Sequence, residues 1–293
     1  MRILLMLALW LSSSCAFAAC PPAGQDRASL QALKAAKFAM PDAASRNALA
    51  EGLLDCLDDP DPALRDGIAY EAFSAWMRAG AFDPGELRKL RDGLYAMLDG
   101  PEGDGYARPF AALVLSEVAR TDVVSPWMTP AERDAMVLRA TGYVERISDY
   151  RGYDPGQGWR HGVAHGADWL MQLARNPQLE RAQGDGILAA VASQAVPASG
   201  HAYVFGESQR LVGPVVFMAQ RGFYTTVQWQ AWFASLIPRL GKEDLAYRDV
   251  AWLGRRHDLM AFLLAAHVEA DHSGNPGTRA LKPAIVDALK AMP

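Results

Sequence analysis

The stretch Asp61-Pro62-Ala63-Leu64-Arg65-Asp66-Gly67-Ile68-Ala69-Tyr70-Glu71-Ala72-Phe73-Ser74-Ala75-Trp76-Met77-Arg78-Ala79-Gly80 reads as one amphipathic helix with both ends marked. Asp61 is a cap residue, and Pro62 follows at the first helical position, where a missing N–H costs nothing and φ is preset. Leu64, Ile68, Ala72, Ala75 and Trp76 recur at helical spacing, and Gly80 supplies the stop. The same punctuation recurs along the chain. Asp83-Pro84-Gly85-Glu86 and Thr129-Pro130-Ala131-Glu132 are starts of the capping type. Asp99-Gly100, Asn176-Pro177, Arg221-Gly222 and Leu240-Gly241 are stops. These marks predict helices near 27–38, 42–57, 62–79, 84–98, 106–120, 130–147, 158–175, 178–194, 207–221, 225–239, 243–270 and 281–291. No stretch sustains the period-2 alternation of a sheet. The β-branched run 212–218 falls inside a helix. The reading is an all-α chain of helical hairpins with short connections, one domain over 19–293.

Composition agrees. Hydrophobic residues make up 51 % of the 293, enough apolar surface for a core, so a disordered chain is excluded. The balance of 29 Lys+Arg against 33 Asp+Glu is acidic, and no basic block exceeds two residues, so nucleic acid is not an expected partner. Three cysteines cannot make a disulfide scaffold.

The N-terminus reads as an export signal over 1–18. Arg2 is the positive start, 3–11 is an apolar run too short to span a bilayer, and Ala16-x-Ala18 is a small-residue cleavage site. Cleavage there starts the mature chain at Ala19 and places it in the periplasm or outside the cell. No second apolar stretch reaches membrane-spanning length. Two cysteines then remain, Cys20 and Cys56. In an oxidising compartment they form a disulfide that ties the N-terminal arm to an early helix. A rival reading makes Cys20 a lipidated first residue of an envelope protein after Phe17-Ala18-Ala19. The two readings exclude each other.

Candidate chemistry concentrates in 148–170. Asp154-Pro155-Gly156 is a turn signal, and the second half opens a helix. At about 100° per residue, His161, His165 and Asp168 form a stripe. Val163, Ala167, Leu170, Met171 and Ala174 form the apolar face almost opposite. Gly162 and Gly166 flank the stripe and allow another backbone to come close. Arg160 is the misfit, pointing to the apolar side unless it belongs to the loop. Three readings stand. The stripe is a solvated polar face. Or it is a polar network that binds a ligand, with Asp149 and Arg151 pairing or gripping it and Trp159 stacking on it. Or His161, His165 and Asp168 hold a divalent metal or do acid/base work, Asp149 or a distant His201 being further candidates to complete a ligand set. The helix lacks the Glu of H-E-x-x-H, so a zincin is not supported.

Elsewhere, Glu207 and Arg210 lie one helical turn apart, the spacing of a surface ion pair. If their helix lies beside 158–175, Arg210 reaches Asp168 instead. The 196–206 loop would then cover the site. Arg255-Arg256-His257-Asp258 reads as a charged helix face.

Two resemblances refine this. The run 57–69, with Asp and Pro at the turn and Arg65 a few residues on, resembles the turn and second helix of a HEAT repeat, and the likeness extends over 57–79. It implies hairpins stacked as a divergent α-solenoid; the alternative for about twelve helices is an α/α toroid. The run Asp149-x-Arg151-Gly152, then Gly158-Trp159-x-His161-x-x-Ala164-His165-Gly166-Ala167-Asp168, is similar to the hallmark of domain-of-unknown-function family 2785. Gly206-Glu207-Ser208-Gln209-Arg210-Leu211 resembles that family's second motif, an acidic stretch ending in Arg-Leu, with Ser208 and Gln209 in place of its middle acidic residues. The likeness spans residues 50–270. It implies a helical fold and the location of a site, and leaves the chemistry open. The expected function is therefore binding: an exported helical-repeat protein holding a polar ligand, a peptide or another protein on a concave surface through Asp149, Arg151, Trp159, His161, His165, Asp168, Glu207 and Arg210. The alternatives are a metal-assisted or general acid/base hydrolase or lyase using His161, His165 and Asp168, and a structural envelope protein without ligand.

Overall fold

The computed structural model describes residues 20–293. The predicted signal segment over 1–18 lies outside the described residues. The described residues are all-α apart from one two-stranded hairpin. Cys20 and Cys56 are joined in a disulfide, their Cα atoms 5.0 Å apart, so the disulfide is the fate this structure shows for Cys20.

Helices begin where the caps say. α1 (Arg27–Ala35) starts on Asp26 and α2 (Ala43–Leu53) on Asp42, each aspartate accepting a backbone N–H three residues on. The quoted stretch forms α3 (Pro62–Leu64) and α4 (Glu71–Arg78), joined by a π-helical turn over Arg65–Tyr70. A π turn inserts one extra residue into the ladder, and here it turns Arg65 fully inward. α5 (Pro84–Asp99) starts on Asp83 and α7 (Pro130–Arg146) on a Thr129/Glu132 capping box, with α6 (Ala107–Val124) between them. Strands β1 (Tyr153–Asp154) and β2 (Gly158–Trp159) follow, then α8 (Gly162–Arg175), α9 (Arg181–Ala195), α10 (Glu207–Gln220), α11 (Thr226–Ala234), α12 (Val250–His272), α13 (Pro276–Arg279) and α14 (Lys282–Ala291).

Helices two apart along the chain lie side by side. α6 packs on α8, α8 on α10 and α10 on α12, while α7 packs on α9. Small residues set the approach. A Cβ on Gly166 of α8 would come within 2.7 Å of Val144 on α7, and Gly213 of α10 lies against Met171 of α8. The interior runs through these helices, with Phe110, Trp169, Leu211, Trp252 and Phe262 fully buried.

The expected helix from 158 begins only at Gly162. Asp154 Oδ1 accepts from Gly156 N and Gln157 N, which tightens the turn, and Gly158 and His161 have φ of +75° and +56°. Neither value belongs to an α-helix, so 158–159 pair with 153–154 instead. The helix expected over 243–270 starts at Val250, where Asp249 caps it.

Candidate functional site

The loop 147–161 is pinned from beneath by two arginines. The guanidinium of Arg65 lies 4.0 Å from the Tyr106 ring centre and that of Arg160 lies 4.3 Å from it. Arg65 donates through Nη1 to the Asp59 carbonyl and through Nη2 to the Gln157 carbonyl, at 2.9 and 2.8 Å. Arg160 donates through Nε to the Asp104 carbonyl and through Nη2 to Gln157 Oε1. A planar cation stacked on a ring while donating sideways is a rigid support. Arg160, the misfit on a helical wheel, is a buried loop residue.

Asp149 and Arg151 form an ion pair two residues apart, with Arg151 Nε donating to Asp149 Oδ1 at 2.9 Å. Arg151 also reaches the Asp104 carbonyl. The pair rests on Gly105, where a Cβ would collide with both side chains.

His161 caps α8 in the left-handed region, φ +56° and ψ +38°. That conformation is costly for a side chain with a Cβ and clusters at functional sites. Its ring stacks on Trp159 at 4.6 Å between centres and meets His165 edge to face at 5.9 Å. His161 and His165 are only 8 % and 7 % exposed, so the solvated-face reading is corrected. On a helical wheel they lie opposite the apolar face, but α8 lies between α6 and α10, and both faces are covered. His165 Nδ1 donates to the Pro109 carbonyl at 3.1 Å and its ring meets Phe110 edge to face. That bond fixes the tautomer and leaves Nε2 as an acceptor. Burial lowers His161 to about 4 and His165 to about 3, so both rings are neutral at pH 7.

Asp168 and Arg210 pair across α8 and α10, Nε donating to Oδ1 at 2.8 Å and Nη2 to Oδ2. Glu207 does not pair with Arg210, as its spacing suggested. It is 3 % exposed, accepts from Phe205 N through Oε2 at 2.9 Å, and places Oε1 3.7 Å from His161 Nε2. That gap is too long for a hydrogen bond, and His161 Nε2 is buried without a partner.

Behind Glu207 stands Asp258 of α12, fully buried. Its Oδ1 accepts from Tyr203 N at 2.7 Å, while Oδ2 has no partner. Burial and the neighbouring Glu207 push its carboxyl up to about 7. The run 255–258 is thus not a uniformly charged face. A signal was present: Gly254, Asp258, Phe262, Ala266 and Ala270 recur at four-residue spacing, all of them buried.

Among the described residues no three His, Cys, Asp or Glu side chains converge as a ligand set. Of the expected set His161, His165 and Asp168, the Asp168 carboxylate is paired with the Arg210 guanidinium. Asp149 is held by Arg151, and His201 is stacked on Tyr150 at 5.2 Å.

The predicted residues therefore fall into two groups. His161, His165, Asp168, Glu207 and Arg210 meet at the α8–α10 face. Asp149 and Arg151 lie on the far side of the hairpin, beside a cleft of about 580 Å³ lined by Arg151, Tyr153 and Phe205. Trp159 joins the groups, touching His161, Tyr153 and Phe205. Tyr153, Tyr203, Phe205 and Asp258 were not singled out from sequence as site residues.

A family model described as "Protein of unknown function (DUF2785)" matches residues 94–267. No curated protein and no solved structure matches the chain.

Proposed function

The chain belongs to the DUF2785 family, and we propose that it is an exported protein that binds a polar ligand at the α8–α10 face. The observation that carries this reading is His161. Its ring is neutral and buried, its Nε2 lacks a partner, and its backbone is held in the left-handed region. An unsatisfied buried polar atom costs about 1–3 kcal/mol, and backbone strain of this kind costs a similar amount. A ligand group hydrogen-bonding to Nε2 would offset the first cost. Asp168 and Arg210 flank it as a bidentate pair, open at Arg210, to orient polar groups. Alternate-helix packing supports the stacked-hairpin reading, in which one face is presented to a ligand. The Cys20–Cys56 disulfide fits an oxidising compartment.

The test is native mass spectrometry of untagged protein prepared from the periplasmic fraction of its own cells. The expected result is a chain beginning at Ala19 that carries a non-protein mass, retained by wild type and lost from His161→Asn. Asparagine tolerates the left-handed region, so that variant removes the ring while keeping the backbone. A chain absent from the periplasm sinks the export reading. A wild type without added mass sinks the binding reading and leaves a structural envelope role.

One further observation favours a second reading at the same residues. Glu207 Oε1 and His161 Nε2 at 3.7 Å would become a proton-exchanging pair after a shift of under 1 Å, as in a general acid/base hydrolase or lyase. Turnover of a bound ligand by wild type and its loss in Glu207→Gln is the outcome that favours catalysis over binding.

A further inference from the structure

We propose that the cleft between the β1–β2 hairpin and the 201–205 segment binds a neutral saccharide. The inference goes beyond the α8–α10 site and rests on different residues. The cleft holds about 580 Å³, within the range of small-ligand sites.

Its lining has a specific chemistry. All of its large apolar surface is aromatic: Tyr150, Tyr153 and Phe205, with the His201 ring beside them. Among the described residues no Leu, Ile, Val or Met lines it. Tyr153 and Phe205 are 48 % and 37 % exposed, a large exposure for rings that size. A groove for a helical peptide is built instead from aliphatic pockets that take anchors at i, i+3 and i+4. Strands of two residues offer no edge ladder for an extended peptide either.

The lining also carries the planar polar groups of Arg151, Asp154 and Gln157. Guanidinium, carboxylate and amide each present two hydrogen-bonding atoms in a fixed plane. Two adjacent hydroxyls of a sugar ring match that spacing, while the C–H face of the ring lies on an aromatic face. Charge argues for neutrality. Arg151 is already paired with Asp149, Arg160 is committed to the Asp104 carbonyl, Gln157 and the Tyr106 ring, and Asp154 Oδ1 is held by two backbone N–H groups, so no cluster of one charge sign calls for an ion. The rim is fixed in advance. Arg65 and Arg160 hold the hairpin, and Gly152 lets Phe205 lie directly on the backbone, where any Cβ would overlap its ring. A preformed rim lowers the ordering cost of binding.

Isothermal titration calorimetry of the full chain with maltohexaose, cellohexaose and chitohexaose tests this. One of the three is expected to bind. Tyr153→Ala and Arg151→Ala, both exposed and each required to melt like wild type, are expected to weaken binding about tenfold or more, while Tyr153→Phe stays within about threefold. Preference for the N-acetylated oligomer identifies a cell-wall glycan as the source, and preference for either plain hexose oligomer identifies an external polysaccharide. Failure of all three at millimolar concentration overturns the proposal. So does binding that ignores Tyr153→Ala, or binding of a proline-rich decapeptide in place of the sugars. The readout is calorimetric binding of a stated sugar, so its failure leaves the mass-spectrometric test of the His161 face standing.

Discussion

His161 and His165 are held neutral by burial while Asp258 is pushed toward its protonated form, so their pH dependences oppose each other. The histidines fall from an ordinary 6.5 to about 4 and about 3. Above pH 6.5 neither state binds the extra proton and their contribution to stability is whole. As pH falls toward 4 the unfolded chain takes up protons that the folded chain refuses, and stability is lost at about 1.4 kcal/mol per pH unit for each ring. Asp258 runs the other way. Its carboxyl rises from 3.8 to about 7, so its contribution is whole below 3.8 and is lost as pH rises through 7. Between pH 6 and 4.5 the three leave a net loss of about 1.4 kcal/mol per unit on acidification. Asp258→Asn removes one opposing group, so that variant is expected to lose about 1.4 kcal/mol more per pH unit over this window than wild type. Urea midpoints at a series of pH values measure this, and equal slopes in the two proteins would refute the assignment.

At the scale of elements, α12 and the 196–206 loop touch through glycines. Gly200 and Gly254 bring two backbones together so closely that a Cβ on Gly254 would overlap the Gly200 carbonyl oxygen. That contact sets the loop where Tyr203 N can donate to Asp258. Gly254→Ala must push the loop away, with an expected cost of about 1–3 kcal/mol from overpacking. The Tyr203 amide should then exchange with solvent faster than in wild type. Unchanged melting and unchanged exchange would show that the loop does not depend on this crossing. The elements themselves were largely legible. Asp61, Asp83 and Thr129 mark helix starts because a cap is a local device, read from a few adjacent residues. The hairpin at 153–159 was not, because what prevents a helix there is Gly158 and His161 held at positive φ over Pro62, Arg65 and Trp159. Those contacts span up to about a hundred residues and leave no trace in spacing. The Asp168–Arg210 pair was conditionally legible, since it needed only that two helices be neighbours. Glu207 turned inward to His161, and Asp258 behind it, needed the three-dimensional arrangement of α8, α10 and α12.

For the molecule as a whole, the Cys20–Cys56 bond closes a loop across a sequence separation of 36. Replacing both cysteines by serine is expected to lower unfolding free energy by about 2–4 kcal/mol, since closing a loop of this length restricts the unfolded chain. Urea unfolding with and without reductant checks this, and a wild type indifferent to reductant would contradict it. Arg65 carries a different long-range tie, reaching 92 residues along the chain to the Gln157 carbonyl beneath the hairpin. The segment that defines the family, 94–267, contains both histidines and every partner they touch, yet it stops short of Arg65. The matched segment therefore does not hold every contact that shapes this loop. Cut out at those limits, the segment would keep both histidines and lose the Arg65 anchor beneath the hairpin beside them. Borrowing the site for another scaffold means taking the first helices along with it.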